Sequence, residues 1–350
     1  NFVNFVGGSS GTWAYTQGPF PWDNQRKYSL SVRARDVAEN MEANEAGPIF
    51  TIDRSSPVAA ITVPSGGAGY RFFPTVSGTA SDGLNGYDAG IITSTNVEVA
   101  IQRLDDGRCW NNLSWTPAPC HPLWKSAAFS GSSSGTWTYA TVPDVNNAPT
   151  GTRFLVLARA KDNTFPVPGN TQDVFSIGTS SNSFSIDNAS GTVSIAFPVT
   201  SSQRSGLVIT SGTLTDDFSG VYASSMQITH TVAADTFYWN GNKWLQNIST
   251  SVVKLANSTG ALSSNWQYTA LPSTWGVSGQ QFTVQAWALD VAGNQSNDPV
   301  TVAWVFDVLN ATGAVTTPST DGEFRSPAIP LAPVIGTAED APDHAFVKIS

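Results

Sequence analysis

Eight aspartates in this chain sit where oxygen ligands could gather around a cation. Asp162 and Asp290 close the alternating runs FLVLARAKD (154–162) and FTVQAWALD (282–290), as Asp36 closes YSLSVRARD (28–36). Asp53, Asp187 and Asp307 end the short strands FTID, FSID and VFD, while Asp82, Asp216 and Asp340 end VSGTASD, TSGTLTD and VIGTAED. Calcium takes six to eight oxygens, mostly carboxylate and carbonyl, and loops of this composition can supply them. In a β-sandwich, the loop after the second strand and the loop between the last two strands lie at one end. The closing Asp of the preceding repeat arrives at that same end. Asp53, Asp82 and Asp162 are therefore expected to converge, and so are Asp187, Asp216 and Asp290, with Asn163, Asp217 and Asn294 as further oxygen donors. Asp307 and Asp340 would begin a third such site. The competing reading is that these Asp and Asn residues cap turns through their own side chains.

Other chemistries have less support. The three histidines, His121, His230 and His344, fall in different registers, so no His-containing site repeats. His230 shares the alternating face of a strand with Met226 and Ile228, where a core histidine is expected rather than a base. No GxSxG, HExxH or phosphate-cradling loop occurs, and the pairs Asp105/Asp106 and Asp216/Asp217 have the surroundings of turns. The expectation is a non-enzyme. Cys109 and Cys120 are the only cysteines; a bridge between them would clamp a hairpin, and the alternative is two thiols in a reducing compartment. Zinc is not expected, since His121 is the only soft ligand nearby and a tetrahedral site needs four. Trp110 and Trp115 are spaced like Trp239 and Trp244. Flat indole faces could stack on sugars, but recurrence at equivalent positions points to repeated packing. Sequons at Asn112, Asn188, Asn247, Asn257, Asn294 and Asn310 are what an Asn- and Ser-rich chain produces by accident.

The elements that must position these residues show in the composition. Of 350 residues only 12% are charged and 40% are hydrophobic. Ser, Thr, Gly and Asn make up the difference, as in strands joined by many turns. With 18 Phe, 12 Trp and 8 Tyr the chain has the apolar bulk to fold. A net charge of −9 without a basic stripe argues against a nucleic-acid partner. No apolar run approaches the length of a membrane span. The chain has neither an initiating Met nor a leader-like segment, so residue 1 reads as a processed end or an arbitrary cut.

The runs also repeat. Asp36, Asp162 and Asp290 are 126 and 128 positions apart, and each has a Trp upstream in GTWAY (Trp13), GTWTY (Trp137) or SNWQY (Trp266). Gly78 and Gly212 each follow the preceding closing Asp by 25 positions, and Trp115 to Trp137 and Trp244 to Trp266 both span 22. Strands are also expected at 96–102, 226–232 and 345–350. The units are 1–53 (the C-terminal part of a domain), 54–187 and 188–307 (complete domains) and 308–350 (an N-terminal part). About seven short strands per unit with almost no helical periodicity give an all-β chain. The expected architecture is a series of tandem immunoglobulin-like antiparallel sandwiches arranged as an elongated rod, with a barrel as the alternative.

The segments RARDVAEN…FTID, ALDVAGN…VFD, SGTASD and YWNGNKW resemble the bacterial Ig-like repeats of very large cell-surface proteins, over essentially the whole chain. That resemblance implies a stalk, adhesin or matrix component at the cell surface or outside the cell, and some members of the group bind calcium between domains. It names no ligand. The reading is a non-catalytic structural or adhesive segment of an exported surface or filament protein. Its partners would be its own head-to-tail neighbours, in a longer chain or a polymer, and glycans or other surface proteins. The alternative is a spacer or carbohydrate-binding region of a secreted polysaccharide-active enzyme. The partial units at the two ends are complementary, and fit either a piece of a longer chain or a subunit whose C-terminal strands complete the next subunit's N-terminal half-domain.

Overall fold

The computed structural model describes residues 5–7, 10–15, 20–43, 45–83, 90, 96–165, 169–317 and 333–340. All its regular elements are strands. No helix among the described residues is long and apolar enough to cross a membrane. The strand expected at 345–350 lies outside the described residues.

Contacts divide the chain into two compact units. The first comprises residues 1–68, 72–148 and 152–185, and the second 69–71, 149–151 and 186–350. In the first, one sheet runs in the order Lys125–Ser126, Val97–Arg103, Arg153–Ala160, Ser181–Ile186, with Arg108–Cys109 also on Val97–Arg103. The other runs Ala128–Gly131, Ser134–Tyr139, Val76–Ser81, Val58–Val63. Period-2 alternation decides which side chains meet between them. Phe154, Val156, Ala158 and Ala160 are buried on one side, facing Ala59, Val76, Ala80 and Trp137 from the other sheet. Phe73 packs edge-on against Phe154 and Phe184, with centroids 5.2 and 4.9 Å apart. Burying each such aromatic side chain stabilises the fold by about 2–3 kcal/mol.

The second unit repeats the plan. Its larger sheet runs Ser202–Arg204, Val300–Phe306, Gln281–Asp290, Val221–Val232, Asp235–Trp239, Trp244–Gln246, with Val252–Leu255 also on Val221–Val232. Thr192–Val193, Thr210–Thr215 and Ser263–Tyr268 form the opposing sheet. Leu214 and Trp266 of the smaller sheet pack with Val221, Met226, Ala286 and Ala288 of the larger. Toward the other end Trp239, Trp275, Phe282, Trp304 and Phe306 form an aromatic core. Both units are thus β-sandwiches of immunoglobulin-like type. Pairing between the named strands is antiparallel except at one sheet edge, where Ser202–Arg204 runs parallel to Val300–Phe306. Here the chain joins the strand that will later leave the domain, instead of turning back in a hairpin.

One close approach fixes the register in both units. Trp137 lies opposite Gly78, and Trp266 opposite Gly212. A Cβ on Gly78 would overlap the Ala60 carbonyl oxygen and come within 2.6 Å of the Trp137 ring. On Gly212 it would overlap the Ser194 carbonyl and lie 2.9 Å from Trp266 Nε1. The Gly of each S-G-T strand is the slot into which the Trp ring fits.

Three strand pairs flank the sandwiches: Phe5–Gly7 with Gly11–Trp13, Arg26–Val32 with Glu45–Ile52, and Thr312–Thr317 with Ile335–Glu339.

Candidate metal centres

The alternation that builds the cores also delivers the carboxylates. In Gln281–Asp290 the buried positions are Phe282, Val284, Ala286, Ala288 and then Asp290, one more step on the same side. Asp162 continues the buried series Phe154 to Ala160 in the same way. Asp82 follows Val76, Gly78 and Ala80, and Asp216 follows Thr210, Gly212 and Leu214. Each of these aspartates therefore turns inward where the apolar core ends.

The structure brings together Asp53, Asp82 and Asp162 within the first unit, and Asp187, Asp216 and Asp290 within the second. In each group one carboxylate oxygen per residue lies within 4.8 Å of the other two, and all six residues are buried. The two groups occupy matching positions in the repeat. Asp307 and Asp340 join no such group among the described residues: Asp307 Oδ1 accepts from Ser278 Oγ at 2.9 Å and from the Leu309 amide at 3.1 Å.

Turn capping is present as well. Asp53 Oδ1 accepts from the Ser55 amide at 2.9 Å, and Asp187 Oδ1 from the Ala189 amide at 3.3 Å. Asp216 Oδ2 accepts from Phe218 and Gly220, and Asp82 Oδ2 from Gly90. A carboxylate has two oxygens and about four lone-pair sites, so a capped turn leaves acceptor capacity for a cation.

An asparagine completes each group. Asn294 sends its amide to Asp290 Oδ1 and its Nδ2 to Asp290 Oδ2, both at 2.7 Å, and Nδ2 also reaches the carbonyls of Asp187 and Ala189. Asn170 does the same for Asp162 and reaches the Asp53 carbonyl. Asn163, expected to contribute, is exposed, and so is Asp217. The insertion in the middle copy shifts the partner asparagine from four to eight places beyond its Asp, so the residue that meets Asp162 is Asn170 and not the adjacent Asn163. Asn40 forms the same pair with Asp36 in the N-terminal segment.

Comparing Asp36 with Asp290 isolates the effect of burial. Asp36 is exposed, and its hydrogen bonds from Asn40 hold its pKa below the usual value. Asp290 has the same two bonds, yet desolvation pushes its pKa up, with the Asp187 and Asp216 charges adding to the rise. No ion pair formed by the described residues includes Asp187, Asp216 or Asp290. Like charges at this separation repel by roughly 3 kcal/mol per pair at an effective dielectric of about 20. Three inward-facing carboxylates thus form a centre that a proton or a divalent cation would stabilise.

The remaining candidates have structural partners. Cys109 and Cys120 form a disulfide, with Cα atoms 6.0 Å apart. The Trp110 and Trp115 rings lie 5.5 Å apart, as do those of Trp239 and Trp244. Trp110 Nε1 donates to the Thr141 carbonyl and Trp239 Nε1 to that of Ala270, both at 2.8 Å. Trp115 packs on Phe154 under the Arg103 guanidinium, and Trp244 packs on Phe282.

No family model matches the chain, and no curated protein matches it. Among solved structures it is similar to a tetra-tandem repeat in the extending region of a large adhesion protein. The identity is 17% over 88% of this chain and 63% of that one, with a TM-score of 0.26; the chain thus spans less than two thirds of that structure's length. It is also similar to the fibronectin(III)-like modules of Clostridium thermocellum CbhA, at 10% identity over 71% of this chain and 94% of that one, TM-score 0.30. The β-1,2-glucanase of Parabacteroides distasonis is 12% identical over 75% of this chain and 38% of that one, TM-score 0.17.

Proposed function

We propose that this chain is a structural and adhesive repeat segment of an exported surface or extracellular filament protein, and that each complete sandwich holds one calcium ion at its three-Asp centre. The observation that carries this reading is the recurrence of one buried tri-carboxylate group, with its asparagine, at matching positions of two repeats. Calcium suits an all-oxygen donor set, in which carbonyl oxygens or water would fill the positions left by three carboxylates. In each group the closing Asp precedes the sandwich strands while the other two end strands within it, so a shared ion would tie the incoming chain to the domain. Such a tie serves a repeat protein whose work is to extend and hold. The disulfide is consistent with an oxidising, exported location. The Trp pairs engage their rings in packing, which favours a structural role over a sugar platform.

Calorimetric titration of the EDTA-stripped chain tests the metal directly. The expected result is about two calcium ions per chain, one for each of the two groups, with a rise in melting temperature. Asp216→Asn should remove one of the two and leave the other. If titration gives no heat and calcium leaves melting unchanged, the metal reading fails and capped turns remain as the role of these aspartates.

A further inference from the structure

In the second unit the residues of Gln281–Asp290 that alternate with the buried series, Thr283, Gln285, Trp287 and Leu289, lie on the outward side of the larger sheet and are half-buried. The registers put Ser225 beside Trp287 with Val253 beyond it, Gln227 beside Gln285, and Thr229 beside Thr283 with Tyr238 beyond. Thr301 flanks Gln285 on the other side. None of these outward positions is charged. Trp287 and Tyr238 stand two rows and two strands apart, so their Cα atoms are separated by about 17 Å.

Trp287 differs from the other Trp residues of the two sandwiches. Those are either buried in a core or, as with Trp110, Trp115, Trp124 and Trp244, lie within 6 Å of another aromatic ring. Trp287 is half-buried, and among the described residues it has no ring, cation or hydrogen-bond partner. The fold does not require an indole here. The matching position of the first unit, three residues before the closing Asp, is Arg159, which lies opposite Glu98 and is ion-paired to it at 2.7 Å. A large apolar ring on a solvent-facing position that the other copy fills with an ion pair is free to serve something outside the fold. Indole and phenol rings at such positions supply contact area and a polar tip together.

The polar groups between the two rings are amides and hydroxyls. Gln285 Nε2 donates to Thr301 Oγ1 at 3.4 Å and Gln227 Nε2 to Ser249 Oγ at 3.0 Å. These bonds orient both amides and leave their Oε1 atoms able to accept. With no cation on the face, a polyanion would find no counter-charge. A neutral sugar chain matches it: the C–H face of a pyranose stacks on an aromatic ring, and its hydroxyls pair with amide and hydroxyl groups. We propose that this face binds a neutral polysaccharide, with Trp287 and Tyr238 as stacking platforms and Gln227 and Gln285 as hydrogen-bonding partners of the sugar hydroxyls. The short side chains of Ser225, Thr229 and Thr283 keep the surface between the rings low, so that an extended chain can cross it. The first unit, with Arg159 and Glu98 at the matching place, lacks the platform. This inference rests on the adhesive reading above and gives it a ligand class.

Affinity electrophoresis of the full chain through gels containing hydroxyethyl cellulose, xylan, mannan, dextran or soluble starch tests this, with alginate as a polyanionic control. Retardation by at least one neutral polysaccharide and none by alginate is expected. Trp287→Ala should weaken binding at least ten-fold, within the range of central interface aromatics, and Gln227→Ala with Gln285→Ala should weaken it as well. All three side chains lie outside the cores, so the melting temperature of each variant should match that of the unsubstituted chain. Retardation by none of the neutral polysaccharides, or equal retardation of Trp287→Ala, would overturn the proposal. So would self-association in sedimentation that Trp287→Ala abolishes, since the face would then belong to a second copy. A chain that takes up about two calcium ions but is retarded by none of these gels keeps its structural role and loses this ligand.

Discussion

Gly78 and Gly212 show how a single missing side chain sets a register. Neither needs a left-handed backbone; each is Gly because a carbonyl and an indole occupy the space of its Cβ. Gly212→Ala is expected to destabilise the second unit by about 2–3 kcal/mol, the cost of forced overpacking. Chemical denaturation would show this, and an unchanged midpoint would mean that the strands separate at no cost. The carboxylates were legible in sequence because a period of two fixes the side of each strand end, so alternating apolar residues that stop at an Asp place it inward. Their asparagine partners were only half legible. Asn294 stands four residues beyond Asp290, as Asn40 does beyond Asp36, but in the middle copy the inserted residues move the partner to Asn170. Spacing within one copy could not reveal that; only the folded loop returns Asn170 to Asp162.

At the scale of elements, the Trp hairpin supplies a large part of the aromatic core. In the second unit Asp235–Trp239 and Trp244–Gln246 bring Phe237 and Trp244 against His230, with the Phe237 ring stacked at 4.9 Å and Trp244 edge-on at 4.6 Å. Phe282 packs from the next strand, and the Gln280 side chain hydrogen-bonds to His230 Nδ1. The alternation in 226–232 placed His230 on the core side. It could not show that the hairpin covers the ring, because that contact depends on strands paired across a turn. Burial lowers the His230 pKa from its ordinary value near 6.5. The unfolded chain then takes up a proton that the native ring resists, so the His230 contribution is intact above about pH 6.5, declines as pH falls from there toward the depressed native value, and levels off below it. The His230 contribution should therefore lower the melting temperature of the second unit between about pH 7 and pH 5, against the opposite contribution of Asp290, whose raised pKa favours the native state as pH falls. His230→Phe should flatten that dependence; an equally steep profile in the variant would place the titrating group elsewhere.

For the molecule as a whole, the repeat is a shared plan with private reinforcements. The second unit has no counterpart to the disulfide, since Cys109 and Cys120 are the only cysteines and both lie in the first. They close a loop of sequence separation 11 at the Trp hairpin, while the equivalent hairpin of the second unit is held by Asp235, which accepts from Gln246 and Asn247 at 2.7 Å. Hydrogen bonds and a covalent clamp thus perform the same task in successive copies. Closing so short a loop restricts the unfolded chain by about 3 kcal/mol, so reduction should destabilise the first unit and leave the second unchanged. For sandwiches of this size that corresponds to a fall of about 10 °C in one melting transition. Scanning calorimetry with and without reductant checks this, and Cys109→Ser with Cys120→Ser should reproduce the shift without reductant. If both transitions moved together, the stability of each sandwich would depend on its neighbour; if only one moves, each repeat stands on its own core.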